Sequence, residues 1–246
     1  MVLPLALSSA VSYYETYWTD AGYKPVREST PDSLAALFRR HIGPADSVLD
    51  LGCGDGRSGT YLAAHAAAYK GVDVSSEAVK LARVRGLDVE RITDASVLPF
   101  PHGTFDVVVC IEVLEHLFEP QLAVAEALRV LKPGGLFLAT VPNAAYWRDR
   151  VDALLGMWQP AGDHFGRAQP WRSPHIRFFS PSSLRRMLTQ LGLTQVDVGG
   201  MPTPLFGRVP GLRRFSGPPR APGRMAAQVW PALFAAHLWA AGRNRE

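Results

Sequence analysis

The chain has 246 residues, of which 47% are hydrophobic, and its formal net charge is +4. This length and composition are typical of one globular domain with insertions, and they exclude a disordered or fibrous protein. The small charge does not favour a nucleic-acid partner. The two cysteines, Cys53 and Cys110, are too few for a disulfide framework, so a reducing compartment is favoured.

The apolar segments do not predict a membrane-spanning protein. Residues 1–10 lack a basic start and contain Pro4, so we interpret residues 1–29 as an N-terminal arm rather than as a signal peptide. No later segment reaches the ~18 uninterrupted apolar residues of a transmembrane helix. We expect a cytoplasmic protein, and we leave open a weak contact with a membrane surface and the formation of a homodimer.

Strands and helices are predicted to alternate between residues 29 and 142. The first helix has a capping residue at Thr30 and Pro31 at its first position. Strands that alternate with helices form a parallel sheet with helices on both faces, which is the doubly wound α/β class. The predicted elements are a helix over 29–43, a strand from 47 into a glycine-rich loop, a helix over 59–68, a strand over 68–74, a helix over 75–86, strands over 87–95 and 105–111, a helix over 120–131 and a strand over 136–142.

Residues 143–175 interrupt this alternation. They contain Trp147, Trp158 and Trp171 and are too long for a plain connection, so we predict a lid or substrate-binding insertion. The aromatic residues of the arm, YYETYW at 13–18, are candidates for the same cover, because aromatic faces suit flat phenols and sugar rings. Packing within the insertion itself is the alternative.

The pattern becomes regular again after the insertion. A helix is predicted over 180–192, with Ser180 as its capping residue, and a strand over 193–200. Residues 201–224 are rich in arginine, proline and glycine, so we expect a solvated loop there, with an anionic substrate or membrane surface as the alternative partner. Residues 233–242 fit either a last strand or a helix.

A glycine-rich loop directly follows the first strand. Gly52, Gly54 and Gly56 allow the backbone to turn tightly and to approach a ligand at a helix N-terminus. Asp73 ends the second strand, where an acid accepts hydrogen bonds from ribose hydroxyls. Arg57 stands where the dinucleotide-binding pattern has its third glycine, and the ATP-binding lysine pattern is absent. A nucleoside ligand without a pyrophosphate is therefore favoured.

The acids beside this loop, Asp50 and Asp55, favour a cationic ligand over a polyphosphate. Four motifs then occur in order, and together they resemble the class I S-adenosylmethionine-dependent methyltransferases. The motifs are VLDLGCGDG at 48–56, GVDVS at 71–75, ITDASVLPFPHGTFDVVVCIEVLEHL at 92–117 and RVLKPGGLFLATVPN at 129–143. The resemblance is close over residues 46–143 and loose from there to 199.

The resemblance implies one methyltransferase domain over residues 1–246, with a Rossmann-like seven-stranded sheet that is mainly parallel and has an antiparallel last strand. It implies S-adenosylmethionine as the cofactor, with the glycine loop at its amino-acid end, Asp73 at the ribose, Asp94 with Ala95 at the adenine, and Ile111 with Glu112 on the methionine side. The implied cofactor-binding residues are Asp50, Gly52, Gly54, Gly56, Asp73, Val74, Asp94, Ala95, Ile111 and Glu112.

The segment CIEVLEHL at 110–117 carries two acids and a histidine beyond the fourth strand. In helical geometry Glu112, Glu115 and His116 would share one face. Three interpretations stay open: an acidic first turn of a helix, a general base at His116 or Glu115 for a hydroxyl acceptor, and a divalent metal site. Carboxylates mixed with imidazole suit manganese, iron or zinc better than magnesium.

Two further resemblances bear on the metal interpretation. The ExxEH string is similar to that of ubiquinone-biosynthesis O-methyltransferases and of small-RNA 2′-O-methyltransferases, in which two acids and a histidine hold a divalent ion. The RNA enzymes add a later histidine, and His175 has a comparable place in this chain. The resemblance thus implies Glu112, Glu115, His116 and His175 as ligands of Mg or Mn, although the chain lacks the broad basic surface of an RNA enzyme.

We predict from these observations a methyltransferase that acts on a hydroxyl of a small molecule, saccharide or lipid-like metabolite. His116, Glu115 and Glu112 are the candidate catalytic residues. The segment from 141 to 180 also resembles a methionine-biosynthesis protein that partners an acyltransferase. A cofactor-binding partner subunit without methyl transfer is therefore the alternative, although that protein lacks the ExxEH string.

Overall fold

The computed structural model describes residues 13–19, 32–158, 175–201 and 222–245. The helices are α1 (13–19), α2 (Asp32–His41), α3 (Arg57–His65), α4 (Ser76–Val84), α5 (Pro120–Val130), α6 (Trp147–Leu154), α7 (Pro181–Gln190), α8 (Pro222–Val229) and α9 (Pro231–Phe234). The strands are β1 (Ser47–Leu51), β2 (Ala68–Asp73), β3 (Val89–Arg91), β4 (Phe105–Ile111), β5 (Leu131–Pro142), β6 (Thr194–Gly200) and β7 (His237–Arg243).

The seven strands form one sheet with the order β3-β2-β1-β4-β5-β7-β6. β1 pairs in parallel with β2 and with β4, and β2 pairs in parallel with β3. β6 and β7 are antiparallel. This confirms the predicted Rossmann-like, mainly parallel sheet. Strand order reverses next to β1, and ligands of such sheets bind outside the carboxyl ends of the strands at that point.

The described residues form two compact units. The first contains the described residues up to Ile111 together with Leu122–Phe137, and the second contains Glu112–Gln121 and the described residues from Leu138 to Arg245. β1 and β4, both in the first unit, are buried along almost their whole length, as expected for strands covered on both faces. Phe38 and Leu62 of α2 and α3 are also fully buried in that unit. In the second unit Leu184 and Leu188 supply the apolar stripe of α7.

Local signals located most element ends correctly. Ser180 caps α7 with its side chain, and Ser183 returns a hydrogen bond to the Ser180 backbone, which completes a capping box. The last segment of the chain combines both alternatives, because the helical turn α9 precedes the strand β7. β5 begins at Leu131, before the KPGG sequence that we expected to precede the strand.

Parts of the three predicted irregular segments lie outside the described residues. Of the arm, residues 13–19 are described and are helical. Of the insertion over 143–175, residues 143–158 and His175 are described, and they include the helix α6, which begins at Trp147. Trp171 and most of the loop over 201–224 are not described. Among the described helices none is long and apolar enough to cross a membrane.

Candidate active site

The glycine loop after β1 has the left-handed backbone that its sequence predicts. The φ angles are +77° at Gly52, +54° at Gly54 and +80° at Gly56. The N–H groups of Gly52 and Cys53 both donate to the carbonyl of Val72, at 2.8 and 3.0 Å, which ties the loop to β2. Left-handed φ angles favour glycine, since they bring a side chain's Cβ too close to the backbone.

Asp73 lies at the centre of this loop's hydrogen bonds. Its two carboxylate oxygens accept from the backbone N–H of Gly54 and of Ser75, each at 2.9 Å. Asp73 is 9% exposed, and burial raises its pKa, although these backbone donors oppose the rise. The structure therefore holds the acid at the carboxyl end of β2 in one orientation.

The two other acids near the loop differ in their environment. Asp50 is fully buried and accepts a hydrogen bond from the Tyr69 hydroxyl at 3.0 Å. Burial, with a smaller effect from the Asp73 charge, raises the pKa of Asp50 to about 7. Asp55 is instead paired with Arg57 at 2.9 Å and with Arg85 at 3.3 Å. The two arginines thus balance the charge of Asp55 within the protein.

The remaining predicted cofactor contacts lie at strand ends of the same unit. Val74 follows β2 directly, and its carbonyl accepts from the Arg91 guanidinium at 3.1 Å. Asp94 accepts from the Ser96 N–H at 2.8 Å, which shapes the turn after β3, and Ala95 beside it is buried. Ile111 is the last residue of β4.

Glu112 begins the second unit, and it is not part of a helix. Its φ angle is +55°, its N–H donates to the Thr140 carbonyl at 3.0 Å, and the only helical turn nearby in the described chain is a 3-10 helix over Leu114–His116. The helical face that we expected for Glu112, Glu115 and His116 is therefore absent.

The Glu112 carboxylate contacts a histidine that the sequence analysis missed. His237 Nδ1 lies 3.0 Å from Glu112 Oε2. Burial would raise the pKa of Glu112, but the charge and hydrogen bond of His237, together with a Thr140 hydrogen bond, hold it below its usual range. Asn143 locates His237, because its side chain donates to the Ala235 carbonyl at 2.7 Å, just before β7.

Glu115, His116 and His175 form a separate cluster. One ligand atom from each lies within 4.8 Å of the others. His175 reaches this position because the next two residues, Ile176 and Arg177, donate their N–H groups to the Glu115 carbonyl at 2.9 and 3.0 Å. These backbone bonds bring together side chains that are about sixty residues apart in the chain.

Glu115 is the buried acid of this cluster. It is 1% exposed, and neither of its carboxylate oxygens has a hydrogen-bond partner among the described residues. Burial, and secondarily the charge of Glu112, raises its pKa to about 9, while burial lowers the pKa of His175. A buried carboxylate needs a positive partner, and neutral imidazole is the form that binds metal. The donor set therefore fits a divalent ion that binds nitrogen and oxygen.

The structure thus brings together three of the four metal ligands that the resemblance implies, namely Glu115, His116 and His175. The fourth, Glu112, is outside that cluster and is hydrogen-bonded to His237. No local sequence pattern points to His237, because its contact with Glu112 joins residues 125 positions apart. Cys53 and Cys110 are both buried, and they form no disulfide.

The known proteins that this chain resembles in sequence and in fold are methyltransferases. Residues 49–139 match the family model described as a methyltransferase domain. Ubiquinone biosynthesis O-methyltransferases of Idiomarina loihiensis and Thiobacillus denitrificans are each 31% identical to this chain, over 74% and 75% of its length and 76% and 81% of theirs. A solved S-adenosylmethionine-dependent methyltransferase from Thermotoga maritima has the same fold, with a TM-score of 0.61, 20% identity and coverage of 87% of this chain and 88% of that one.

The glycine loop, the acid at the end of β2 and these similarities define a class I S-adenosylmethionine-dependent methyltransferase. Within that class the chain belongs to the family of the ubiquinone biosynthesis O-methyltransferases. This favours an enzyme over the alternative of a non-catalytic partner subunit.

Proposed function

We propose that this enzyme transfers the methyl group of S-adenosylmethionine to a hydroxyl group of a small molecule, saccharide or lipid-like metabolite in the cytoplasm. The observation that carries the proposal is the similarity to relatives named O-methyltransferases over three quarters of the chain. In this reaction the acceptor oxygen bonds to the methyl carbon, the C–S bond breaks with its electron pair left on sulfur, and the hydroxyl proton is lost.

The first unit would bind the cofactor. Its glycine loop would allow the protein backbone to approach a ligand closely, and the Asp73 carboxylate lies beside the loop in a fixed orientation. Asp50, Val74, Asp94, Ala95, Ile111 and Glu112 remain proposed contacts. The buried Asp50 would favour a cationic ligand, because a nearby positive charge stabilises the ionised form of an acid whose pKa burial has raised.

Glu115, His116 and His175 would hold a divalent ion, for which manganese suits the mixed nitrogen and oxygen donors better than magnesium. When bound, such an ion lowers the pKa of a hydroxyl that it coordinates. In its absence Glu115, with its pKa raised to about 9, holds a proton at neutral pH. Glu112 and His116 are then the other candidate proton acceptors, and His237 keeps Glu112 ionised.

The proposal is tested with purified enzyme and methyl-labelled cofactor. The acceptors are phenols and catechols with and without an apolar tail, saccharides, and amines of matched size. We expect methylation of a hydroxylated acceptor, with one demethylated cofactor formed per methyl transferred. Transfer to amines alone, or cofactor binding without transfer to any acceptor, would contradict it.

The metal part of the proposal has its own test. Exhaustive chelation should abolish methyl transfer, and manganese should restore it. The Glu115→Gln variant keeps the side-chain volume but removes the charge, so it should bind manganese weakly. Full activity after chelation would remove the metal and leave a proton acceptor as the role of this cluster.

A further inference from the structure

The helix α1 is attached to the cofactor-binding unit through one carboxylate. Glu15 Oε1 accepts from the Ser76 N–H at 2.8 Å, and Glu15 Oε2 accepts from the Ser75 hydroxyl at 2.9 Å and from the Glu77 N–H at 3.2 Å. These donors are at the N-terminus of α4, where backbone N–H groups have no partner inside the helix. Glu15 therefore acts as a capping residue supplied by a segment sixty residues away.

The helix α4 has its own N-cap as well, and this limits what Glu15 contributes to folding. The Ser75 hydroxyl accepts from the Ala78 N–H at 3.3 Å, so the helix start is capped by its own sequence. The guanidinium of Arg91 lies 3.8 Å from Glu15 and balances its charge. The additional cap by Glu15 thus attaches α1 to a helix that already has a local cap.

Ser75 connects this attachment to the proposed ribose ligand. Its hydroxyl donates to Glu15, and its backbone N–H donates to the Asp73 carboxylate at 2.9 Å. Asp73 in turn accepts from the N–H of Gly54 in the glycine loop. A change at Glu15 therefore has a path of three hydrogen bonds to the loop.

A second contact places α1 over the same loop. Trp18 is one helical turn after Glu15, and a Cβ atom added to Gly54 would lie 3.0 Å from Cη2 of its indole. The indole ring thus packs against the position where a side chain is missing. The helix α1 thus contacts the N-terminus of α4 through Glu15 and the glycine loop through Trp18.

We propose that α1 is a cover that retains the cofactor, and that Glu15 is its latch. In this role Glu15 is a positioning residue: it holds Trp18 against Gly54, and the cofactor leaves only when the contact of Glu15 with α4 opens. This inference rests on the cofactor site proposed above. In this proposal the arm controls how long the cofactor stays bound. Other residues carry out the chemistry at the methyl group.

The test measures release of labelled cofactor from the full-length enzyme into an excess of unlabelled cofactor. Glu15→Ala should accelerate release at least about tenfold, since several charge-assisted hydrogen bonds are lost. Association should change less. Glu15→Gln, which keeps one acceptor oxygen, should lie between the two. Glu90→Gln is the matched control, because Glu90 makes a partly exposed ion pair with Lys70 at 3.2 Å in the same unit.

A structural role alone would lower the melting temperature of the cofactor-free variant and leave the release rate unchanged, and that result would overturn the inference. If Glu15→Ala does not fold, Trp18→Ala decides, because it removes the other end of the cover without changing α4. Wild-type release from Trp18→Ala would then refute the cover. Failure of the wild-type enzyme to bind the cofactor at all would instead refute the proposed function.

Discussion

His237 Nδ1 lies 3.0 Å from Glu112 Oε2, so a histidine of the last strand binds the first acid of the ExxEH motif. This contact separates two acids that the motif presents together. Glu112 has a partner and a lowered pKa, whereas Glu115 is buried, has a raised pKa and lacks a hydrogen-bond partner in the described structure. The two carboxylates should therefore respond differently to substitution.

We predict that Glu115→Gln weakens manganese binding at least about tenfold more than Glu112→Gln. As a direct ligand, Glu115 would supply the negative charge that balances the ion. The Glu112 carboxylate is instead hydrogen-bonded to His237 outside the cluster. Calorimetric titration of the metal-free variants measures the difference. Equal losses in the two variants would show that Glu112 is a ligand and that its contact with His237 breaks when the ion binds.

Asp73→Ala should weaken binding of S-adenosylmethionine at least about tenfold. The variant lacks the carboxylate that we propose binds the ribose, and it also loses the hydrogen bond that holds Gly54 of the glycine loop. Calorimetry gives the dissociation constant. Asp88→Ala is the control, since Asp88 makes an exposed ion pair with Lys70 at 2.9 Å. Unchanged binding by the Asp73 variant would overturn its assignment.

The raised pKa of Asp50 should make the stability of the protein depend on pH. The pKa of Asp50 is about 7 in the folded protein, compared with 3.8 for an unperturbed aspartate. The folded protein therefore binds this proton more tightly than the unfolded chain does. The stabilisation is fully present below pH ~4 and is lost as the pH rises through ~7, by on the order of a few kcal/mol. Urea unfolding of the cofactor-free enzyme at pH 5 and pH 8 should show this loss.

Asp50→Asn should make that loss smaller, since the amide has no proton to release and still accepts from Tyr69. Glu115 has a pKa shift of the same sign, but it is present in both proteins, so the comparison isolates Asp50. An equal loss of stability in the variant would exclude Asp50 as its source.

Gly56→Ala should lower the free energy of unfolding by about 2–4 kcal/mol, because about 1 kcal/mol of backbone strain adds to about 1–3 kcal/mol of overpacking. A Cβ atom there would lie 2.5 Å from Leu87 Cδ1 and 3.0 Å from the Ala82 Cβ, in addition to the strain at φ +80°. Gly86→Ala is the matched control, because its φ is +79° but nothing lies within 4 Å of the added atom. Its cost should be about 1 kcal/mol, the cost of the backbone strain alone. Equal losses by chemical denaturation would mean that the packing against Leu87 has no effect.

The sequence by itself determined the sheet, the glycine loop and the caps, because each depends on residues close together in the chain. The buried strand before Gly52, the acid at Asp73 and the capping box at Ser180 are local patterns with a local physical cause. These patterns sufficed for the fold class and, with the family motifs, for the cofactor. They also placed His175 among the candidate ligands, although by resemblance rather than by geometry.

Only the tertiary structure decided which polar side chains meet. The backbone bonds from Ile176 and Arg177 to Glu115 bring His175 to the cluster, and the Glu112 carboxylate contacts His237. The cap that Glu15 places on α4 likewise joins segments sixty residues apart. Such contacts depend on how distant segments pack, and a local pattern has no information on that packing.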